Sequence, residues 1–367
     1  MNLERRYDID WLRVITIVAV YFHHIGMPFN GDEFHIMNTE SSKLLDDIMV
    51  YFEQFRLPLL FLVSGTGTIF AFSKRSWFQF LKERSYRLLV PLIFGILFIV
   101  PPQTFYEHYS DYNSYLQVYK NLDFEVNHLW FISDLFIISI AVIPFILFLR
   151  SEKSNSFIRF IEKITSKKYG MFLMVILLII LKIITKKINP SDSNEITNIS
   201  STTFYGFYFL AGIIIASTKE TWTHLRSYRK INFTFLIISS ILFYIYYFLP
   251  NKLLTPYFSI ETRWNIWYMV CCLVSWSSVL TILGYGQVWL NKKSNILKKC
   301  NEAIYPFYVL HQTIIIIFGF YIIDLNLNIP LKILLLLVTT FPIIILIYRF
   351  IIYPYKIPRI LFGMKKR

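Results

Sequence analysis

The chain is long, apolar and basic: of its 367 residues, 55% are hydrophobic and 16% are charged, and the net charge at pH 7 is +14. Soluble domains carry about 25% charged residues, so this composition, with a mean hydropathy of +0.50, excludes an ordinary soluble protein. The cations lie in short loops between apolar runs, as in membrane proteins, and nucleic acid is therefore not an expected partner.

Apolar segments recur along the whole chain, each near the length of about 20 residues that a helix needs to cross a bilayer. We identify ten of them, at residues 10–29, 46–72, 87–106, 129–150, 169–187, 203–217, 231–249, 264–285, 302–323 and 330–352. No small-residue cleavage site follows the first, so we expect a retained helix. The sequence predicts an all-α polytopic transmembrane bundle of about ten helices, forming one domain over residues 1–367.

The loops alternate in charge. Lysine and arginine are concentrated in five of them, at residues 74–87, 150–168, 219–230, 292–299 and 356–367, whereas the intervening loops carry mainly aspartate and glutamate. Lys186 and Lys187 are the main exception. Since basic loops stay in the cytoplasm, both termini are predicted to be cytoplasmic and the protein to reside in the inner membrane.

The first apolar segment carries Arg13 near its start and His24 near its end. Their spacing is close to three helical turns, which places both side chains on one face, about 16 Å apart along the axis. Polar groups at this depth usually face a protein interior or a wet cavity. Arg13 is also explained by snorkelling and pairing with Asp10, and His24 by a hydrogen bond to a backbone carbonyl. We interpret the shared face as the lining of a channel.

Polar residues also occur in the second and third segments. Arg56 follows Glu53 by three residues and precedes Ser64, and Arg84 and Arg87 share a helical face at the predicted cytoplasmic border. A buried ion pair explains Arg56, and the positive-inside rule explains the arginine pair. The same groups also suit stabilisation of an oxyanion and binding of phosphates, respectively.

Two later segments carry histidines. His128 opens the fourth segment on the predicted outer side, two residues before Trp130, and His311 lies near the middle of the ninth. Trp130 is also explained as a residue of the interfacial aromatic belt. Histidines and arginines at membrane depth in several helices nevertheless favour a functional site. The three cysteines have no metal-site spacing, and no nucleotide-binding loop or HExxH motif is present, so no metal and no redox cofactor are expected.

Together these motifs resemble the membrane-bound acyltransferase family 3, which O-acylates extracytoplasmic glycans. The matching stretches, in the family's order, are Asp10-Trp11-Leu12-Arg13 with His24-Ile25-Gly26, Arg56-Leu57-Pro58 with Ser64-Gly65, Arg84-x-x-Arg87 with Pro91, His128-Leu129-Trp130-Phe131, and Tyr305-Pro306-Phe307-Tyr308 with His311. The last two are similar to the branch that includes osmoregulated periplasmic glucan succinyltransferases. Some larger members carry an extracytoplasmic hydrolase-like domain, which is not expected here, so an accessory envelope protein stays an open partner.

The resemblance implies an O-acyltransferase that moves an acetyl or succinyl group from cytoplasmic acyl-CoA to a hydroxyl of a glycan of the cell envelope. It implies phosphate binding by Arg84 and Arg87 and guidance of pantetheine by Arg13. His24 would be the general base or a transient acyl carrier, and Arg56 would stabilise the oxyanion. Ser64 would supply a second polar contact to substrate beside Arg56. The residues that would hold the acceptor or tune the base are His128, Trp130 and His311.

A transporter or flippase for a glycan, lipid or anion is the main alternative, because intramembrane arginines and histidines also mark permeation paths. The sequence shows no inverted repeat and no matched broken helices, which many transporters have. A purely structural membrane protein is a third alternative, but it gives the aligned polar residues no role.

Overall fold

The computed structural model describes residues 6–72, 75–194 and 197–365, and within these ranges it is helical with no β-strand. Eight of the described helices are long and apolar enough to cross a membrane, and a bent pair would make a ninth. This confirms the predicted all-α bundle. Residues 1–5 and 366–367 lie outside the described residues, and the cytoplasmic placement of the termini stays a prediction.

Each of the ten predicted segments corresponds to helical structure. The main helices are α1 (Tyr7–Asn30), α2 (Lys43–Phe72), α3 (Trp77–Glu107), α4 (Asn127–Ala141), α5 (Ile143–Leu149), α6 (Leu173–Ile188), α7 (Ile199–Ser217), α8 (Arg229–Phe248), α9 (Ile260–Trp289), α10 (Asn295–Ile322) and α11 (Ile329–Ile352). Shorter helices between and after them are Leu116–Asn121, Asn155–Thr165, Lys219–Ser227, Asn251–Leu254 and Lys356–Leu361. The helices α4 and α5 meet at a bend of 46°. With 16 residues, α6 is shorter than a typical span.

The chain divides into two compact units, each made of separate segments. Unit 1 comprises Met1–Arg13, Glu53–Trp77 and Ile138–Lys293, and unit 2 comprises Val14–Phe52, Phe78–Ile137 and Ser294–Arg367. Of the predicted site residues, unit 1 holds Arg13, Arg56 and Ser64. Unit 2 holds His24, Arg84, Arg87, His128, Trp130 and His311.

In unit 1, α2 and α7 approach each other backbone to backbone. A Cβ atom added at Gly65 would lie 2.9 Å from the carbonyl carbon of Phe209, and one added at Gly212 would lie 2.9 Å from that of Leu62. Only glycine fits at both positions, and small residues are what permit such close packing of membrane helices. This contact anchors the half of α2 that carries Arg56 and Ser64.

In unit 2, a proline break in α3 attaches this helix to its neighbours. Pro101 has no N–H to donate to the carbonyl of Leu97, and the hydroxyl of Tyr119 donates there instead, at 3.1 Å. The carbonyl of Ile99, just before the break, accepts a hydrogen bond of 2.7 Å from Oγ1 of Thr313 in α10. The break therefore fixes the C-terminal part of α3 against the middle of α10.

Candidate active site

Three imidazole rings from distant parts of the sequence meet in unit 2. The ring centroid of His311 lies 5.0 Å from that of His24 and 5.3 Å from that of His128. His311 and His128 are buried, and His24 is partly accessible. α1, α4 and α10 thus bring together the three predicted histidines.

The hydrogen bond of His311 to its own helix defines its tautomer. Its Nδ1 lies 2.5 Å from the carbonyl oxygen of Tyr308, and because a carbonyl only accepts, Nδ1 carries the hydrogen. In the neutral ring the lone pair is then on Nε2, which makes that nitrogen the proton acceptor. The hydroxyl of Tyr308 donates to the backbone carbonyl of His128 and so fixes α10 against the start of α4.

Two buried glutamines, Gln103 and Gln312, connect His128 to a fourth histidine, His35. The amide nitrogen of Gln312 lies 2.9 Å from Nε2 of His35 and donates to Oε1 of Gln103 at 3.1 Å. The amide nitrogen of Gln103 donates to Oγ1 of Thr313 at 2.6 Å and lies 3.3 Å from Nδ1 of His128. Each amide has two hydrogens, and each hydrogen has an acceptor. The facing nitrogens of both histidines are therefore acceptors.

The remaining nitrogens of these two histidines are donors at the ends of the network. Nε2 of His128 donates to the carbonyl of Val309 at 3.1 Å. Nδ1 of His35 lies 2.5 Å from a carboxylate oxygen of Glu107. The side chains of His35 and Glu107 are 16% and 28% exposed, whereas the glutamines are buried. The network therefore extends from the buried imidazoles to an accessible rim.

The other predicted residues of unit 2 lie in different surroundings. Arg84 ends the α-helical first part of α3 and packs 5.0 Å above the ring of Phe80. Arg87 lies in a π-helical turn, Ser85–Leu89, 3.7 Å from a carboxylate oxygen of Glu83. This turn alters the angle between the two arginines relative to the α-helical spacing assumed from the sequence.

Trp130 begins the regular part of α4, and its ring meets that of Phe131 edge to face at 6.5 Å. The structure therefore places Trp130 on the helix turn directly after His128. Within the described ranges of the chain, no three histidine, cysteine, aspartate or glutamate side chains are grouped as in a metal site.

Unit 1 holds the remaining predicted residues. Arg13 lies 3.8 Å from Asp10, the pairing considered as an alternative to a functional role. Ser64 donates its hydroxyl hydrogen to the carbonyl of Leu60 at 2.7 Å. Arg56 is 9% exposed, and its buried Nε and Nη1 atoms have no hydrogen-bond partner among the residues that the structure describes. A buried guanidinium with unused donors suits an anionic oxygen.

Comparison with known proteins assigns the chain to a family. The family model of the acyltransferase domain, acyltransferase 3, matches residues 6–349. The chain belongs to this acyltransferase family. It is similar to Glucans biosynthesis protein C of Escherichia coli (strain K12), with 22% identity over 337 residues, 87% of this chain and 84% of the relative. Glucans biosynthesis protein C of Shigella dysenteriae serotype 1 (strain Sd197) gives the same values. No solved structure matches.

The acyltransferase assignment confirms the resemblance identified from the motifs and favours acyl transfer over the transport alternative. Together with its apolar helices, it makes the protein a multi-pass membrane acyltransferase. Imidazole nitrogens are the groups that general-base and nucleophilic catalysis of acyl transfer commonly use, and unit 2 brings several of them together.

The sequence analysis missed five residues of the acyltransferase's imidazole network: His35, Gln103, Glu107, Gln312 and Thr313. For Gln103 and Gln312 a signal exists, because primary amides inside apolar segments need polar partners. For His35 and Glu107 no local pattern exists, since both lie at or beyond helix ends and meet only in the folded chain.

Proposed function

We propose that this acyltransferase transfers an acetyl or succinyl group from acyl-CoA to a hydroxyl of an extracytoplasmic glycan, at the inner membrane. The relatives carry the name Glucans biosynthesis protein C, and a glucan is therefore the proposed acceptor. The single observation that carries the proposal is the group formed by His24, His128 and His311, in which the ring centroid of His311 lies within 5.3 Å of those of the other two, with hydrogen bonds of defined direction at His128 and His311.

The proposed chemistry begins with His24. As general base it removes the proton from the acceptor hydroxyl while the oxygen attacks the thioester carbonyl. The tetrahedral intermediate collapses, the carbon–sulfur bond breaks, and His24 returns the proton to the thiolate of CoA. In the alternative route, a lone pair of the His24 ring attacks the thioester carbonyl and the carbon–sulfur bond breaks, which releases the thiolate of CoA. The acceptor oxygen then attacks the acyl-imidazolium, the acyl–nitrogen bond breaks to return neutral His24, and the proton of the hydroxyl passes to the thiolate. In both routes, the lone pair on Nε2 of His311, whose ring adjoins that of His24, assists the proton transfer.

The donor is proposed to bind from the cytoplasmic side. Arg84 and Arg87 supply positive charge for the phosphates of CoA, and Arg13 guides the pantetheine arm. Arg56 is proposed to stabilise the anionic oxygen of the intermediate. Ser64, with His128 and Trp130, is proposed to contact the acceptor. An accessory envelope protein that completes delivery to the polymer is compatible with this scheme.

Transfer of label tests the proposal. Purified protein in detergent is incubated with radiolabelled acetyl-CoA or succinyl-CoA and a soluble β-glucan, and label on the glucan is measured. We expect transfer by the unaltered protein and a loss of about 100-fold or more in His24→Ala and His311→Ala, as for removal of a general base. His23→Ala, which alters the neighbouring histidine on α1, is the matched control and is expected to retain transfer of label. Absence of transfer with either donor contradicts the proposal.

A further inference from the structure

An aromatic surface lies at one end of unit 2, where α3 and α10 both end. Four residues form it, Tyr106, Tyr109, Phe320 and Tyr321, which we call the aromatic shelf. The rings of Tyr106 and Tyr109 are nearly parallel, at 14°, with centroids 6.3 Å apart. Phe320 lies 5.0 Å from each of them, and the hydroxyls of Tyr106 and Tyr321 are hydrogen-bonded at 3.0 Å. The shelf is therefore a fixed surface and not a set of independent side chains.

The two outer rings of the shelf are open. Tyr109 is 51% exposed and Tyr321 is 59% exposed. Exposed polar residues adjoin them in the chain: Ser110 and Asp111 follow Tyr109, and Asp324 follows Tyr321 by three residues. Tyrosines of an interfacial belt rest against lipid beside apolar neighbours, whereas these neighbours indicate contact with water. The open faces are therefore available to a water-soluble ligand.

One residue of the shelf is the chain neighbour of a residue of the candidate active site. Tyr106 immediately precedes Glu107, the carboxylate that binds His35 at the accessible end of the glutamine network. Next to His35, the ring of Phe34 lies 5.0 Å from its imidazole and 6.0 Å from that of His24. Ring contacts and one hydrogen bond thus connect Glu107, the neighbour of Tyr106 in the chain, through His35 and Phe34 to the proposed base His24.

We propose that the aromatic shelf binds a pyranose ring of the glycan acceptor, with the carboxylate of Glu107 accepting hydrogen bonds from its hydroxyl groups and His35 holding that carboxylate in place. This inference rests on the proposed function and names the acceptor subsite. A pyranose presents a face of C–H bonds, which packs on an aromatic face, and a rim of hydroxyls, which needs polar side chains. The shelf offers the aromatic faces, and Glu107, the next residue after Tyr106, offers a carboxylate. The ring on the shelf neighbours the sugar that is acylated, so oligosaccharides bind better than glucose.

Direct binding tests the shelf without catalysis. A fluorescently end-labelled β-glucan hexasaccharide is titrated with detergent-purified full-length protein in the absence of acyl-CoA, and its dissociation constant is measured by anisotropy. We expect Tyr109→Ala and Tyr321→Ala each to weaken binding by about five- to tenfold, and Tyr109→Trp to retain it. Tyr257→Ala, which alters an exposed tyrosine of unit 1 (81% exposed), is expected to leave binding unchanged.

Each outcome has a definite meaning. Equal affinity of the unaltered protein and both shelf variants overturns the proposal, as does the absence of hexasaccharide binding by the unaltered protein. Thermal melting of every variant identifies folding defects, and the Tyr109→Trp variant keeps the comparison valid if an alanine variant is unstable. If label is transferred to glucan equally by all variants, only the shelf is wrong. If the hexasaccharide binds on the shelf but no label is transferred, only the proposed function is wrong.

Discussion

The amide nitrogen of Gln312 donates to the amide oxygen of Gln103 across 3.1 Å, which gives the hydrogen-bond network a direction. The other amide hydrogens point to His35 and His128. If Gln312 alone reversed, two oxygens would face each other, and if Gln103 alone reversed, two amide nitrogens would. Reversal of both is disfavoured because the hydroxyl hydrogen of Thr313 is donated to the carbonyl of Ile99, so Oγ1 of Thr313 needs the donor of Gln103. The two glutamines therefore keep His128 in one tautomer, with Nε2–H donating to the carbonyl of Val309.

Replacing Gln103 with glutamate tests this direction. The carboxylate cannot donate to Nδ1 of His128, so His128 must change tautomer or become charged next to His311. We expect Gln103→Glu to lower the rate of acyl transfer by about tenfold or more, as buried polar networks depend on full satisfaction. The rate is measured as CoA release at saturating donor. Gln79→Glu, an exposed change on the same helix, should retain the unaltered rate, and an active Gln103→Glu enzyme would contradict the argument.

A conservative substitution of His311 distinguishes its structural hydrogen bond from its proposed role in proton transfer. In His311→Asn the side-chain amide keeps a donor near the position of Nδ1, so the hydrogen bond to the carbonyl of Tyr308 survives. The lone pair of Nε2 is lost. We expect a melting temperature within a few degrees of the unaltered protein and a rate lower by about 100-fold. His311→Ala, which removes both groups, should lose stability as well as activity. A His311→Asn enzyme of normal rate would exclude His311 from the proton transfer.

Much of this fold is predictable from local sequence, whereas the partners within the site are not. Apolar segments of about 20 residues must form helices in a membrane because every backbone group needs a partner, and all ten predicted segments are helical. The gathering of His24, His128 and His311 follows from the cost of polar groups at depth. The connection of His128 to His35 through Gln103 and Gln312 depends on the break at Pro101, whose geometry no spacing rule supplies.

The arginines illustrate the same limit. The spacing of Arg84 and Arg87 predicts a shared face only for an α-helix, and the π-helical turn at Ser85–Leu89 interrupts that periodicity. The position of the Arg13 side chain is equally unpredictable from the sequence, because it depends on which residue of α2 lies opposite. In the structure that residue is Gly67.

The proximity of Gly67 to Arg13 gives a test of donor binding. A Cβ atom at Gly67 would lie 3.1 Å from Nη2 of Arg13, whereas one at Gly206 would have no atom within 4 Å. Gly67→Ala therefore requires the guanidinium to shift by a few tenths of an ångström, and we expect it to raise the KM for acyl-CoA by about twofold with little change in kcat. Gly206→Ala, a glycine-to-alanine change in α7 of the same unit, should leave KM unchanged. Equal KM values in both variants would argue against a role of Arg13 in donor binding.

We expect replacement of Arg56 to have opposite effects on the melting temperature and on the rate of acyl transfer. The buried Nε and Nη1 of Arg56 have no hydrogen-bond partner among the described residues, and a buried donor without a hydrogen bond costs about 1–3 kcal/mol, more when charged. Arg56→Met keeps the volume and removes that cost, so we expect a melting temperature equal to or above that of the unaltered protein. If Arg56 stabilises an anionic oxygen, the same change should lower kcat by about 100-fold or more. Arg226→Met, at an exposed position of unit 1, should alter neither quantity. A stable and fully active Arg56→Met enzyme would show that the guanidinium serves another purpose, and an unstable one would show that it has a structural partner.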